Sequence, residues 1–108
     1  MASTVALRRA TSADYEAYCD LMAEADLLHR RRLPRIFQPA AGPARSHDSY
    51  LTLLGDAKSV VILAEADGEP VGCLVATLRD TPEVPIVVPR RVAIIDSLAV
   101  TRTWRRLG

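Results

Sequence analysis

Aromatic side chains are scarce in this chain of 108 residues: Tyr, Phe and Trp together make up 5% of it. Cysteine is scarcer still. Cys19 and Cys73 stand alone, form no Cys-x-x-Cys pair and have no paired histidines nearby, which argues against a zinc site or a disulfide scaffold. Both read as reduced, small apolar packing residues, and no metal is expected. Neither sign of charge dominates: a net charge of +1 gives no reason to expect a nucleic-acid or membrane partner. No apolar run approaches the roughly 18 residues that a membrane span needs. The N-terminus runs into strand-like sequence without the basic, apolar and small-residue segments of a secretory signal, so the cytoplasm is the expected compartment. There is no internal repeat and no low-complexity tract. What is present is a hydrophobic fraction of 49%, ordinary for a soluble globular protein and too high for a disordered one. A chain of this length is one compact domain at most, burying roughly 60–70% of its extended surface.

The pattern of apolar residues predicts six elements. Strand β1 covers Val5–Ala10, with Val5 and Leu7 on one face. Thr11-Ser12-Ala13-Asp14 then supplies a hydroxyl cap and an acid for the positive end of a helix. In helix α1, Tyr15, Tyr18, Cys19, Met22, Ala25 and Leu28 recur at helical spacing while Glu16, Asp20 and Glu24 line another face. Arg30, Arg31 and Arg32 sit at its negative end as a solvated run, and Pro34 ends it. The stretch from Ile36 to Arg45, with Pro39, Gly42 and Pro43, reads as a loop. Ser46-His47-Asp48 caps a short helix α2 through Leu54, with Gly55 as its stop. Strands β2 (Ser59–Ala66) and β3 (Val71–Leu78) flank Asp67-Gly68, a pair favoured in tight hairpins. Thr81–Pro89, with three prolines, is an extended connection or lies on a sheet edge. Strand β4 (Arg91–Val100) carries the apolar runs Val92–Ile95 and Leu98–Val100, which predict burial on both faces. The order β1-α1-α2-β2-β3-β4 places the chain in an α/β (α+β) class.

The stretch Ile94–Gly108 carries the chemistry. A buried strand bears one acid, Asp96, then comes a short polar turn, then a basic run ending in glycine. Such a turn can gather backbone N–H and guanidinium groups around an anion at a helix start, and Gly108 would let the main chain approach a phosphate closely. A solvated basic turn after a core strand accounts for the same residues.

The stretch resembles the central motif of the GNAT acyltransferase superfamily, in which a fourth strand leads into Arg/Gln-x-x-Gly-x-Gly/Ala. Arg105-Arg106-Leu107-Gly108 matches the first four positions. Upstream, Leu7-Arg8-Arg9-Ala10-Thr11 with Asp14 looks like the opening strand and helix start. Val61–Gly72 looks like the central hairpin, and His29–Pro39, with Leu33-Pro34-Arg35-Ile36-Phe37, resembles the acceptor-side segment of bacterial members. The resemblance implies residues 1–108 as the N-terminal part of one N-acetyltransferase domain with GNAT-like fold, its C-terminal half absent and the chain ending inside the pyrophosphate loop.

The resemblance further implies acetyl-CoA as cosubstrate and a primary amine of a small molecule or peptide as acceptor. The main chain of Leu98, Ala99 and Val100 would hydrogen-bond the pantetheine arm, an N–H at Leu98 would face the thioester oxygen, and Arg105, Arg106 and Gly108 would hold the pyrophosphate. Asp96 is the candidate general base; a structural carboxylate hydrogen-bonded at a strand bulge is the competing reading. The acid that protonates departing thiolate is usually a downstream Tyr and is not assigned here. His29, Phe37 and Tyr50 are acceptor-pocket candidates, with helix-end or core packing as their other reading. His47 is a further titratable candidate with a capping role as alternative, and Trp104 covers apolar surface beside the phosphate loop, with direct cofactor contact as its other reading. For Arg30-Arg31-Arg32 the alternative to a solvated helix end is attraction of an acidic acceptor or of the adenosine 3′-phosphate. Two other functions compete. The chain is a catalytically incompetent fragment that self-associates through the open edge of β4, forming a homo-oligomer, or it is a non-enzymatic module that binds CoA or another anion.

Overall fold

The computed structural model describes residues 4–105. Its elements follow the predicted order: β1 (Val5–Arg9), α1 (Tyr15–Arg32), α2 (His47–Gly55), β2 (Ser59–Ala66), β3 (Glu69–Asp80) and β4 (Arg91–Val100), with one-turn 3-10 helices at Ser12–Asp14 and Arg102–Trp104. The four strands form an antiparallel sheet in the order β1-β2-β3-β4.

Local chemistry explains the boundaries. Thr11 caps the first turn through a capping box: its hydroxyl accepts from the Ala13 N–H at 3.3 Å, while Asp14 accepts from the Thr11 N–H at 2.7 Å. Ser46 caps α2 by accepting from the Ser49 N–H at 3.1 Å. Asp67 and Gly68, at φ 53° and 81°, both occupy the left-handed region that a two-residue hairpin turn with the right twist requires. This turn sets the register Ala66↔Glu69 and starts β3 two residues earlier than the apolar pattern suggests, while pairing with β4 through Asp80↔Arg91 carries it two residues further at the other end.

The sheet has one covered face. Val61 and Leu63 of β2, Val71, Cys73 and Val75 of β3 and Ala99 of β4 are buried, and Tyr18, Leu21 and Met22 of α1 with Tyr50 of α2 pack against most of them in one cluster. Leu63 is fully buried at its centre. The Tyr50 hydroxyl reaches the Thr11 carbonyl at 2.6 Å, tying α2 to the start of α1, and burial pushes that hydroxyl up to about 12. Gly72 serves a close approach, because a Cβ there would lie 3.1 Å from the Ala99 carbonyl oxygen on the neighbouring strand. Both cysteines are free; Cys73 is in the core and Cys19 beside it.

One expectation is corrected. Strand β4 is not buried on both faces: of its ten residues only Ala99 is buried, and Ile95 and Leu98 are 61% and 65% exposed. The reason is its position. It is the edge strand opposite β1, and among the described residues the helices cover only one side of the sheet. Leu74, Leu98 and Val100 belong to the other side. Helix α1 also buries Leu21, which lies three residues after Tyr18 on the same stripe.

Candidate functional site

The far edge of β4 is built by two features of the β3–β4 ladder. The first is its phase. The Thr101 N–H donates to the Val71 carbonyl at 2.8 Å, continuing the register Gly72↔Val100 and Cys73↔Ala99. Hydrogen-bonded pairs alternate in an antiparallel ladder. Ala99 therefore turns its main-chain groups toward β3, while Leu98 and Val100 turn theirs away. Val100 bears this out, since its carbonyl accepts from Arg105 Nε at 2.8 Å on that outer side.

The second feature is a bulge. The register shifts between Val75↔Ser97 and Ala76↔Ile95, leaving Asp96 as the extra residue without a partner on β3. Its carboxylate accepts from the Thr77 hydroxyl at 2.6 Å and stands 4.0 Å from the Arg79 guanidinium. Thr77 continues the Val71–Cys73–Val75 side of β3, so Asp96 lies toward the helix-covered face and stays about one-third exposed. The geometry thus gives Asp96 a structural anchor and an open side at once.

Beyond β4 the chain is pinned to α1. Glu24 accepts from the Thr101 hydroxyl at 2.8 Å and from the Arg102 N–H at 3.1 Å. Around this clamp lies a cleft of about 170 Å³ lined by Glu24, Leu27, Leu28, Arg31, Arg102 and Arg105. Three guanidinium groups there face one carboxylate that is already engaged, a donor set that fits an anionic phosphate. Trp104 is half-buried in the turn between. Arg106 and Gly108 lie outside the described residues. The sequence offers Arg31 at this place only as part of the Arg30-Arg31-Arg32 run and does not point to Glu24. The spacing of Glu24 marks only an exposed helix face, and its meeting with Thr101 spans 77 positions.

The residues expected to line an acceptor pocket separate. His29 and Phe37 stack with ring centroids 5.4 Å apart at the end of α1. Phe37 also lines a cleft of about 610 Å³ between the second half of α1 and the following loop, shared with Leu27, Asp26, Arg30 and Arg45. Tyr50 sits instead in the core, tilted against Tyr18 at 4.8 Å. His47 opens α2 with its ring edge against Tyr15 at 4.8 Å. Arg45 and Asp26 form a two-point pair at 2.8 and 3.2 Å. The Cys73 thiol is pushed up to about 11 by burial, which leaves it a poor nucleophile. Among the described residues no group of three or more His, Cys, Asp or Glu side chains could hold a metal ion. No helix among them is long and apolar enough to cross a membrane.

A family model described as the acetyltransferase (GNAT) family matches residues 20–108. No curated protein matches the chain. Among solved structures, a mutant of the BH1408 protein from Bacillus halodurans superposes with a TM-score of 0.88 at 25% identity, covering 95% of this chain and 66% of that one. The chain thus spans just under two thirds of that relative's length. An acetyltransferase from Vibrio fischeri superposes with a TM-score of 0.69 at 23% identity, over 95% of this chain and 75% of its own. An aminoglycoside acetyltransferase from an uncultured soil metagenomic sample, in complex with sisomicin, gives 0.62 at 19% identity, over 96% and 60%. The last two likenesses speak for the fold alone. With a family match over most of its length and this fold, the chain belongs to the GNAT acetyltransferase family.

Proposed function

We propose that residues 1–108 are the N-terminal part of a protein that transfers the acetyl group of acetyl-CoA to a primary amine of a small molecule or peptide. The observation that carries this reading is the open edge of β4, where Leu98 and Val100 direct their N–H groups away from β3 and toward no partner strand among the described residues. Acetyl-CoA bound there supplies an activated acyl thioester. The N–H of Leu98 stabilises negative charge that develops on the acyl oxygen, as a preorganised donor does without reorganising. The N–H of Val100 holds the pantetheine arm as an added strand would. Arg31, Arg102 and Arg105 line the cleft that takes the phosphates. The family motif assigns the same role to Arg106 and Gly108, which lie outside the described residues.

A lysine-like amine has a pKa of about 10 and arrives protonated, so a base must take its proton. Asp96 holds that role. The bulge frees it from the ladder, and Thr77 fixes one carboxylate oxygen. Asp96→Asn is expected to lower turnover in the intact protein by about 100-fold or more, with acetyl-CoA affinity within about twofold. Unchanged turnover would leave Asp96 a bulge-anchoring carboxylate only. The reading as a whole is tested by thiol release from acetyl-CoA against an amine panel. Amine-dependent release is expected, and acetyl-CoA binding with no release from any amine would favour a CoA-binding module without catalysis.

The exposed apolar edge of β4 favours a second reading for the chain on its own. A strand with unpaired main-chain groups and apolar side chains pairs readily with another copy.

A further inference from the structure

The cleft between the second half of α1 and the loop through Arg45 holds about 610 Å³, and its charges do not balance. Asp26 is the acid that would pair with Arg30 four positions along the helix. It is instead engaged at two points by Arg45, whose guanidinium also donates to the Ala44 carbonyl at 2.7 Å and is thereby fixed in place. Arg30 is left half-buried on the cleft wall, and among the described residues it forms no salt bridge. A guanidinium that has lost part of its hydration gains most from a planar oxyanion that matches its fork. The rest of the wall is largely apolar, including Leu27, Phe37 and Pro39, with Gln38 as its one uncharged polar side chain. Leu27 also lines the arginine-rich cleft at the end of β4, so the two cavities adjoin across one side chain.

We infer that this cleft takes an acceptor amine that also carries a carboxylate and an apolar body, with Arg30 binding the carboxylate. Polycations are refused, because the one acid among the described lining residues, Asp26, is already neutralised by Arg45. The inference rests on the acetyl-transfer reading and adds the class of acceptor to it.

Calorimetric titration of alanine, leucine, phenylalanine and glutamate, each beside its α-carboxamide, tests this in the presence of CoA, with kanamycin as a polycation. At least one acid should bind about tenfold tighter than its amide, the worth of one charge-assisted hydrogen bond. In Arg30→Gln that ratio should fall to about threefold or less with CoA affinity unchanged, and Arg30→Lys, which keeps the charge and loses the fork, should fall between. The lysine variant also decides the matter should the glutamine variant fail to fold, since an undiminished ratio in it contradicts bidentate binding. An unchanged ratio, tighter binding of kanamycin than of every acid, or no binding of any acid while CoA binds would overturn the inference. Failure of CoA itself to bind the unsubstituted protein would instead overturn the acetyl-transfer reading beneath it.

Discussion

Arg8, Asp14 and Thr11 form a small polar knot where β1 turns into the first helix. Two guanidinium nitrogens of Arg8 meet the two Asp14 oxygens at 2.8 Å each, and Arg8 also pairs with Glu65 on β2. The bonds from Arg8, and then from the Thr11 N–H, hold the Asp14 carboxyl well below the usual carboxylate range. A depressed folded value contributes stability that is present above the unfolded pKa of about 3.9 and lost as pH falls through the folded value. The stability difference between the protein and Asp14→Asn should therefore be largest near neutral pH and shrink below about pH 4. Urea unfolding across that range checks it, and a difference independent of pH would contradict it. Tyr50→Phe removes the bond to the Thr11 carbonyl, which keeps the Asp14 N–H as a second donor at 3.0 Å. The expected cost is about 1 kcal/mol, read as a lower urea midpoint at unchanged slope. Single residues were unevenly legible. The Thr11 cap and Asp14 follow from local spacing, whereas the bulge at Asp96, named from the sequence only as a competing reading, depends on a register slip that no local pattern encodes.

Elements are joined here by contacts that cross long stretches of chain. The clamp of Glu24 on Thr101 and Arg102 joins α1 to the turn after β4, so it positions Arg102 and Arg105. Glu24→Ala should weaken acetyl-CoA binding by about tenfold, the equivalent of losing one charge-assisted hydrogen bond. Equal affinity of the two proteins by calorimetry would show the clamp to be irrelevant to the site. Gly72→Ala places a Cβ against the Ala99 carbonyl and should destabilise the β3–β4 pairing by about 1–3 kcal/mol. Strand and helix order was legible because caps, the Asp67-Gly68 turn and periodicity are local signals. The extra residues of β3 were not, because Glu69 and Asp80 are polar and join the ladder only through partners on β2 and β4.

At the scale of the molecule, the described residues form a sheet with one covered face and an open apolar edge. Burial of β4 is not legible in the sequence, because apolar runs report what a strand can bury, while its place at the sheet edge decides what it does bury. The chain of 108 residues is expected to self-associate at high concentration. Sedimentation equilibrium should find dimers or larger species, and a clean monomer would count against strand pairing. The acetyl-transfer account depends on one geometric point, the outward N–H groups of Leu98 and Val100. Residue-resolved amide exchange with and without CoA tests it most directly. CoA should slow exchange at Leu98 and Val100 while leaving Ala99, already bonded to β3, nearly unchanged. Equal exchange at all three positions with CoA bound would contradict the account.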